Sequence, residues 1–289
     1  MEFCKKIPLF LFFFLFIVSP MLFSMELEVS GGLGNLMFDK SRTISLTEGG
    51  EVFKPKIFTF GQIRLSGEHK NLTFNAGFEA DPILRNSLFG NIGLESEYFL
   101  FEIGPFLGIY NTREMPFIPG ISGGLKFQRP GVVFAQANAS SSLAFYNREK
   151  TGHYSLYSVD FAAGFWLPNA ICSLNMGLQR FTQRASRDYL IGDHLDRYFL
   201  RAHFFAKNVP FTLRLDLGYQ SLKRSYTNNT DEIESIFAGF EGYFTINERL
   251  KIILGAEIPV YTWTLLPGRP ENLFFQANAG IIWTFPPRG

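Results

Sequence analysis

Stretches with an apolar residue at every second position recur along this chain, and after residue 24 no stretch shows a convincing helical period. The segments "FTLRLDLGYQ" at 211–220 and "KIILGAEIPV" at 251–260 show the pattern clearly. A period of two places neighbouring side chains on opposite faces of a β-strand, so the sequence predicts an all-β fold. We count fourteen such segments, at about 26–38, 57–67, 71–80, 87–97, 99–110, 118–128, 132–145, 155–167, 170–181, 197–207, 210–220, 235–246, 249–262 and 273–285.

The connections between these segments alternate in length, which predicts how the strands are arranged. Six short turns alternate with seven long polar connections, at 39–56, 81–86, 111–117, 146–154, 182–196, 221–234 and 263–272. An antiparallel meander with both termini at one end requires this alternation, and an even strand number lets the first strand pair with the last. We predict a closed antiparallel up-and-down transmembrane β-barrel of about 14 strands. The alternative is a soluble all-β sandwich, which is disfavoured because the chain has little mass left to cover fourteen apolar faces.

Two parts of the sequence resemble known bacterial barrels. The carboxy-terminal "FFQANAGIIWTFPPRG" alternates and ends its apolar face on Trp283 and Phe285. It resembles the last strand of bacterial outer-membrane β-barrel proteins, although "PPRG" follows the aromatic residue. The segments "MELEVSGGLGNLMFD" and "FEIGPFLGIYN" resemble uncharacterised spirochaetal (treponemal-type) outer-membrane barrels. These resemblances imply a barrel in the bacterial cell outer membrane, with outer-membrane lipid around it and the barrel-assembly machinery as partner of strand 273–285. They imply no defined activity.

The amino-terminus has the composition of an export signal. Lys5 and Lys6 precede an apolar run at 7–18, and Pro20 argues against a membrane-spanning helix. We therefore predict a signal peptide at residues 1–24 and the barrel at residues 25–289. Without the signal peptide the chain holds 25 basic and 25 acidic residues, a balance that gives no indication of nucleic-acid binding. It also retains a single cysteine, Cys172, and so cannot form an internal disulfide.

If the apolar face of each strand contacts lipid, the polar face lines the lumen. Seven acidic and six basic residues fall on that face. The predicted pore-lining residues are Arg64, Glu79, Glu95, Glu102, Lys126, Asp160, Arg197, Arg201, Arg214, Asp216, Glu241, Lys251 and Glu257. Fourteen strands give a backbone radius of about 14 Å, too wide for side chains to fill. We predict a weakly selective diffusion porin for small hydrophilic solutes. The alternative is a closed surface-exposed barrel that acts as an adhesin or structural protein through its outer loops.

Within the predicted lumen, the basic residues of two adjacent strands admit two interpretations. Arg197 and Arg201 share a face with His203, and Arg214 lies on the next strand. They could form a basic ladder that attracts anionic solutes. The favoured interpretation is that they pair with Asp216 and neighbouring acids.

The sequence gives no pattern that indicates catalysis or metal binding. Asp193, His194 and Asp196 form "GDHLD" in a predicted outer loop, without a matching acidic pair on an opposing strand. The four histidines are scattered along the chain, so their spacing predicts no metal site. We expect a protein that is not an enzyme and needs no cofactor.

Overall fold

The computed structural model describes residues 24–35, 58–81, 85–109, 117–142, 153–186, 189–206, 209–226, 230–262 and 275–286. These residues form fourteen strands, each antiparallel to the next, and the first pairs with the last to close the barrel. The predicted fold class is confirmed. The predicted signal peptide lies outside the described residues except for Ser24, the first residue of β1. The strands are β1 (Ser24–Gly34), β2 (Phe58–His69), β3 (Leu72–Asp81), β4 (Arg85–Glu95), β5 (Phe99–Ile109), β6 (Phe117–Arg129), β7 (Val133–Ser142), β8 (His153–Leu167), β9 (Ala170–Ser186), β10 (Tyr189–Phe205), β11 (Phe211–Tyr226), β12 (Thr230–Asn247), β13 (Leu250–Thr262) and β14 (Gln276–Phe285).

The seam between β1 and β14 closes the sheet. Met25 lies opposite Phe285, and the ladder runs on to Gly34 opposite Gln276. An open strand edge in lipid would leave backbone groups without hydrogen-bond partners, at several kcal/mol each. The alternating last strand is therefore needed because it completes the hydrogen bonding of the first.

Tight turns join the strands at the end of the barrel that carries Ser24 and Phe285. Pro130 and Gly131 occupy the centre of the turn between β6 and β7, where Gly131 adopts a φ of 72° that favours glycine. The side chain of Asn247 accepts hydrogen bonds from the backbone N–H groups of Arg249 and Leu250 at 2.9 and 3.0 Å. Local side-chain chemistry thus fixes these turns.

At the opposite end, two predicted long loops are wrong. The segments 182–196 and 221–234 lie mostly in strands, and only residues 187–188 and 227–229 fall between the strands. Half of the predicted loop 81–86 is also strand, and residues 82–84 fall between β3 and β4. Outside the lipid an exterior face can be polar, and the side chains here pair across strands, as Lys223 does with Glu232. Their polarity resembles that of a loop although the backbone ladder continues.

The exterior of the barrel is apolar along its middle. Leu200, Leu217 and Leu254 are exposed there, and aromatic residues gather towards both edges. At the tight-turn end Phe99 and Phe127 lie 5.3 Å apart between ring centroids, and Trp283 and Phe285 end the last strand. Towards the other end the exterior carries exposed Tyr157 and Tyr198. Such girdles lie at the two membrane interfaces of transmembrane barrels.

Among the residues that the structure describes, no helix is long and apolar enough to cross a membrane.

One close approach in the wall requires glycine. A Cβ atom on Gly104 of β5 would lie 1.9 Å from the carbonyl oxygen of Gly90 on β4. The next residue, Pro105, has no N–H to donate, and the β4–β5 ladder is interrupted at this position. The two strands therefore press together where their hydrogen bonding is incomplete.

Candidate functional site: the lumen

The strand register places all thirteen predicted pore-lining residues on the inner face, opposite the exposed apolar residues. Six of them form two ion-paired groups on the wall from β10 to β13. The other seven lie elsewhere on the inner wall, at Arg64, Glu79, Glu95, Glu102, Lys126, Asp160 and Lys251.

The first group joins β10, β11 and β12. Arg201 donates two hydrogen bonds of 2.8 Å to the two carboxylate oxygens of Asp216. Arg214 lies 3.7 Å from Asp216 and 2.8 Å from Glu241, which also accepts a hydrogen bond from the amide of Asn278 at 3.2 Å. These arginines are paired, as favoured from the sequence, and do not form a free basic ladder.

The second group crosses the inner wall. Nη2 of Arg197 on β10 lies 2.5 Å from Oε2 of Glu257 on β13, three strands away. The guanidinium lies 4.2 Å from the ring centroid of Phe237 on β12. The intervening inner face carries Gly218 and Gly239, and a Cβ atom on Gly239 would lie 3.7 Å from the side chain of Glu257. The bridge therefore covers the wall, and Phe237 beneath it is 0% exposed.

A cavity of about 370 Å³ lies within the lumen beside this bridge. Phe60 of β2 and Phe199 of β10 both line it, although these strands stand on nearly opposite sides of the ring. Polar side chains form much of the remaining lining, including Gln62, Glu79, Asp160, Gln179, Gln220 and Gln276. These residues surround a small chamber with polar and aromatic walls at this level of the lumen.

Two inward-facing glycines shape this chamber. A Cβ atom on Gly32 would lie 2.3 Å from the ring of Phe60, so the ring rests against the β1 backbone. Gly177 lies between Asp160 on β8 and Arg197 on β10, with its notional Cβ 3.1 Å from Oδ1 of Asp160. Gly177 lines the cavity, so a larger side chain there would project into it.

Nearer the mouth opposite the tight turns, the inner face of β8–β12 is sealed from water. Leu156 and Ile233 are each 1% exposed although both face inward. Asp193 and Arg224 are buried in the same region and form two hydrogen bonds of 2.5 and 2.7 Å. An open channel would expose such side chains, so this side of the mouth is packed.

The structure separates the three residues of "GDHLD", which the sequence placed in an outer loop. All three lie within β10: Asp193 faces inward to Arg224, whereas His194 and Asp196 face outward. Asp196 pairs with Arg180 of β9 on the exterior. Among the described residues, no three His, Cys, Asp or Glu side chains are grouped to hold a metal ion.

The aromatic part of the cavity lining was missed by sequence reasoning. Phe60 and Phe199 are apolar but face inward. The sequence prediction assigned polar residues to the lumen and apolar residues to the lipid-facing side, so it did not place these two rings in the lumen. Gln62 lies between Gly61 and Ile63 in a strand with weak alternation. The inward position of Arg64 two residues later was the available signal, since it sets the parity of β2.

Solved structures that resemble this chain include outer-membrane channels and an autotransporter translocator domain. No family model matches the chain, and no curated protein matches it. An outer-membrane channel from Pseudomonas putida F1 is 10% identical with a TM-score of 0.46, covering 92% of this chain and 96% of the other. The translocator domain of autotransporter NalP from Neisseria meningitidis is 8% identical with a TM-score of 0.45, covering 98% and 97%. A mutant of the TodX monoaromatic hydrocarbon channel is 10% identical with a TM-score of 0.48, covering 92% and 90%.

At these identities and TM-scores the likeness is one of barrel form, and the location of the protein follows from its own surface. A closed antiparallel barrel with an apolar exterior and aromatic girdles is built to span the bacterial outer membrane. The chain is a bacterial outer-membrane β-barrel. The spirochaetal affinity, the barrel-assembly machinery as partner and the signal peptide stay predictions.

Proposed function

We propose that this barrel is a weakly selective channel that lets small hydrophilic solutes diffuse across the outer membrane. The observation that carries the proposal is the cavity of about 370 Å³ between opposite walls of the lumen, with its polar lining. A closed surface barrel that acts only through its outer loops does not require an internal chamber of this kind. Solutes diffuse through such a channel without reacting, so the channel requires no catalytic group.

Weak charge selectivity follows from the pairing of the inner charges. Arg197 is paired with Glu257, and Arg201 and Arg214 with Asp216 and Glu241. A passing ion therefore meets compensated charges over most of this wall. Selectivity is small while the pairs are intact.

Ion current through single barrels in planar lipid bilayers tests the proposal. Gly177→Leu adds a side chain to the cavity lining and should reduce the conductance. The matched control is Gly90→Leu, because a Cβ atom there meets nothing within 4 Å and the residue faces the exterior. A wild-type protein that inserts but passes no current would refute the channel. Equal conductance in both variants would place the conducting path outside this cavity.

The charge pairs can be tested in the same apparatus. Arg197→Gln leaves Glu257 without its partner beside the cavity, so the reversal potential should shift towards cation preference. The shift should grow at low salt, because the screening length is only ~10 Å at about 0.1 M salt and becomes longer as the salt is diluted. Lys223→Gln removes one positive charge from the exterior and should leave the reversal potential unchanged. Identical reversal potentials for both variants would mean that Arg197 lies away from the conducting path.

The second candidate is the closed surface barrel, which one observation favours. Leu156, Ile233 and Phe237 face inward yet exclude water almost completely. If wild-type protein inserts into bilayers and passes no current at any voltage, we would infer that this packing closes the lumen. The closed surface barrel would then replace the channel as the proposed function.

A further inference from the structure

We propose that the cavity beside Arg197 is a binding site for a neutral polyhydroxylated solute, of the size of a monosaccharide or small disaccharide. The inference rests on the proposed channel function and names the class of solute that this channel would hold. Three features of the cavity carry it: its amide groups, its aromatic walls and its charges.

Primary amides surround the cavity. Gln62, Gln179, Gln220 and Gln276 reach it from β2, β9, β11 and β14, and Asn278 lies beside Gln276 on the inner face. A primary amide both donates and accepts hydrogen bonds without carrying a charge, and a hydroxyl group does the same. Amides on several sides therefore match a solute with hydroxyl groups around its edge.

The aromatic walls supply the complementary apolar contacts. Phe60 and Phe199 line the cavity from nearly opposite strands. A sugar ring has polar edges and C–H faces, so amides at its edge and phenyl rings beside it satisfy both. Phe199 is held in place, because the guanidinium of Arg201 lies 5.0 Å from its ring centroid and the ring of Phe237 lies 5.8 Å away.

The charges near the cavity disfavour an anionic solute. Arg197 is the cation among the lining residues, and it is paired with Glu257. Glu79 and Asp160 bring two carboxylates to the lining. A solute with a carboxylate or phosphate would meet acid groups with no uncommitted arginine, whereas a neutral polyol would not.

The volume sets the size of the solute. Ligand sites in proteins usually enclose about 300–1,000 Å³, and this cavity of about 370 Å³ lies at the lower end. A single sugar ring or a small disaccharide is appropriate to such a space. A long oligosaccharide would have to extend beyond it.

Binding is best measured on folded protein in detergent micelles, because this readout does not depend on conduction. Saturation-transfer NMR with glucose should give a saturable signal, and glucuronate, which has the same ring with a carboxylate, should bind more weakly. Gln179→Leu removes one amide and should weaken glucose binding about fivefold, the usual effect of losing one hydrogen bond. Gly177→Leu should abolish glucose binding by filling the cavity. Gly90→Leu on the exterior is the control and should bind glucose as the wild type does.

Heat-dependent gel mobility identifies any variant that fails to fold, and the comparison of glucose with glucuronate needs the wild type alone. No saturable glucose binding by the wild type would overturn the proposal, as would equal binding of glucuronate. Binding of toluene without glucose would also overturn it and assign the cavity to apolar solutes. Current without glucose binding refutes this inference and leaves the channel standing. Glucose binding without current refutes the channel and leaves the site.

Discussion

Breaking the buried ion pair between Asp193 and Arg224 should cost far more stability than breaking an exposed pair one residue away. The two side chains are 1% and 5% exposed and are joined by hydrogen bonds of 2.5 and 2.7 Å. Removing one partner of a buried pair leaves an uncompensated charge and typically costs about 3–5 kcal/mol. We therefore expect Arg224→Met to lower the free energy of unfolding by about this amount.

The neighbouring pair provides the control. Lys223 and Glu232 are 39% and 37% exposed, with 3.8 Å between Nζ and Oε2. Exposed pairs contribute about 0–1 kcal/mol, so Lys223→Met should have little effect. Urea titrations of protein refolded into lipid vesicles, followed by tryptophan fluorescence, measure both variants. Equal losses would refute the argument that burial decides the cost.

A double variant separates charge from shape at the same site. Asp193→Leu combined with Arg224→Met removes both charges and should recover much of the stability that Arg224→Met loses. If the double variant is as unstable as the single one, lost packing rather than an unpaired charge causes the defect.

Three further predictions use other parts of the barrel. Leu254→Arg places a charge on the lipid-facing side and should lower the free energy of unfolding by about 2–4 kcal/mol in urea titrations, whereas Gln276→Arg on the inner face should cost much less. Similar losses in the two variants would contradict our assignment of these residues to opposite faces. Gly104→Ala should reduce the yield of folded barrel on gels, because its Cβ would lie 1.9 Å from a backbone oxygen, whereas Gly90→Ala should fold normally; equal yields would contradict the close approach. Amino-terminal sequencing of protein extracted from membranes should begin at or near Met25, and an intact Met1 would contradict the predicted signal peptide.

The alternation of apolar residues, together with the alternating connection lengths, predicted a closed barrel of about 14 strands, and it predicted which charged residues face inward. Arg201, Arg214 and Asp216 are examples, and the register places each on the inner face. This follows because side-chain direction in a strand reverses at every residue, so one lipid-facing leucine fixes the side of its neighbours. Pairing of the last strand with the first was likewise predictable, since lipid offers no partner to an unpaired edge.

Polarity could not distinguish a loop from a strand that extends out of the lipid, so the ends of β9–β12 were predicted too short. A strand leaving the membrane loses its apolar face but keeps its backbone ladder, and polar pairs such as Lys223 with Glu232 can then cover its exterior. Only the structure shows that the hydrogen bonding continues there.

The contents of the lumen depended on closure of the barrel. Arg197 reaches Glu257 across the two strands between them, and Phe60 lines the same cavity as Phe199 from the far wall. These residues lie far apart in the chain and belong to strands that do not pair with each other. Alternation fixes the face of each side chain, but only the closed ring determines which side chains on that face come together.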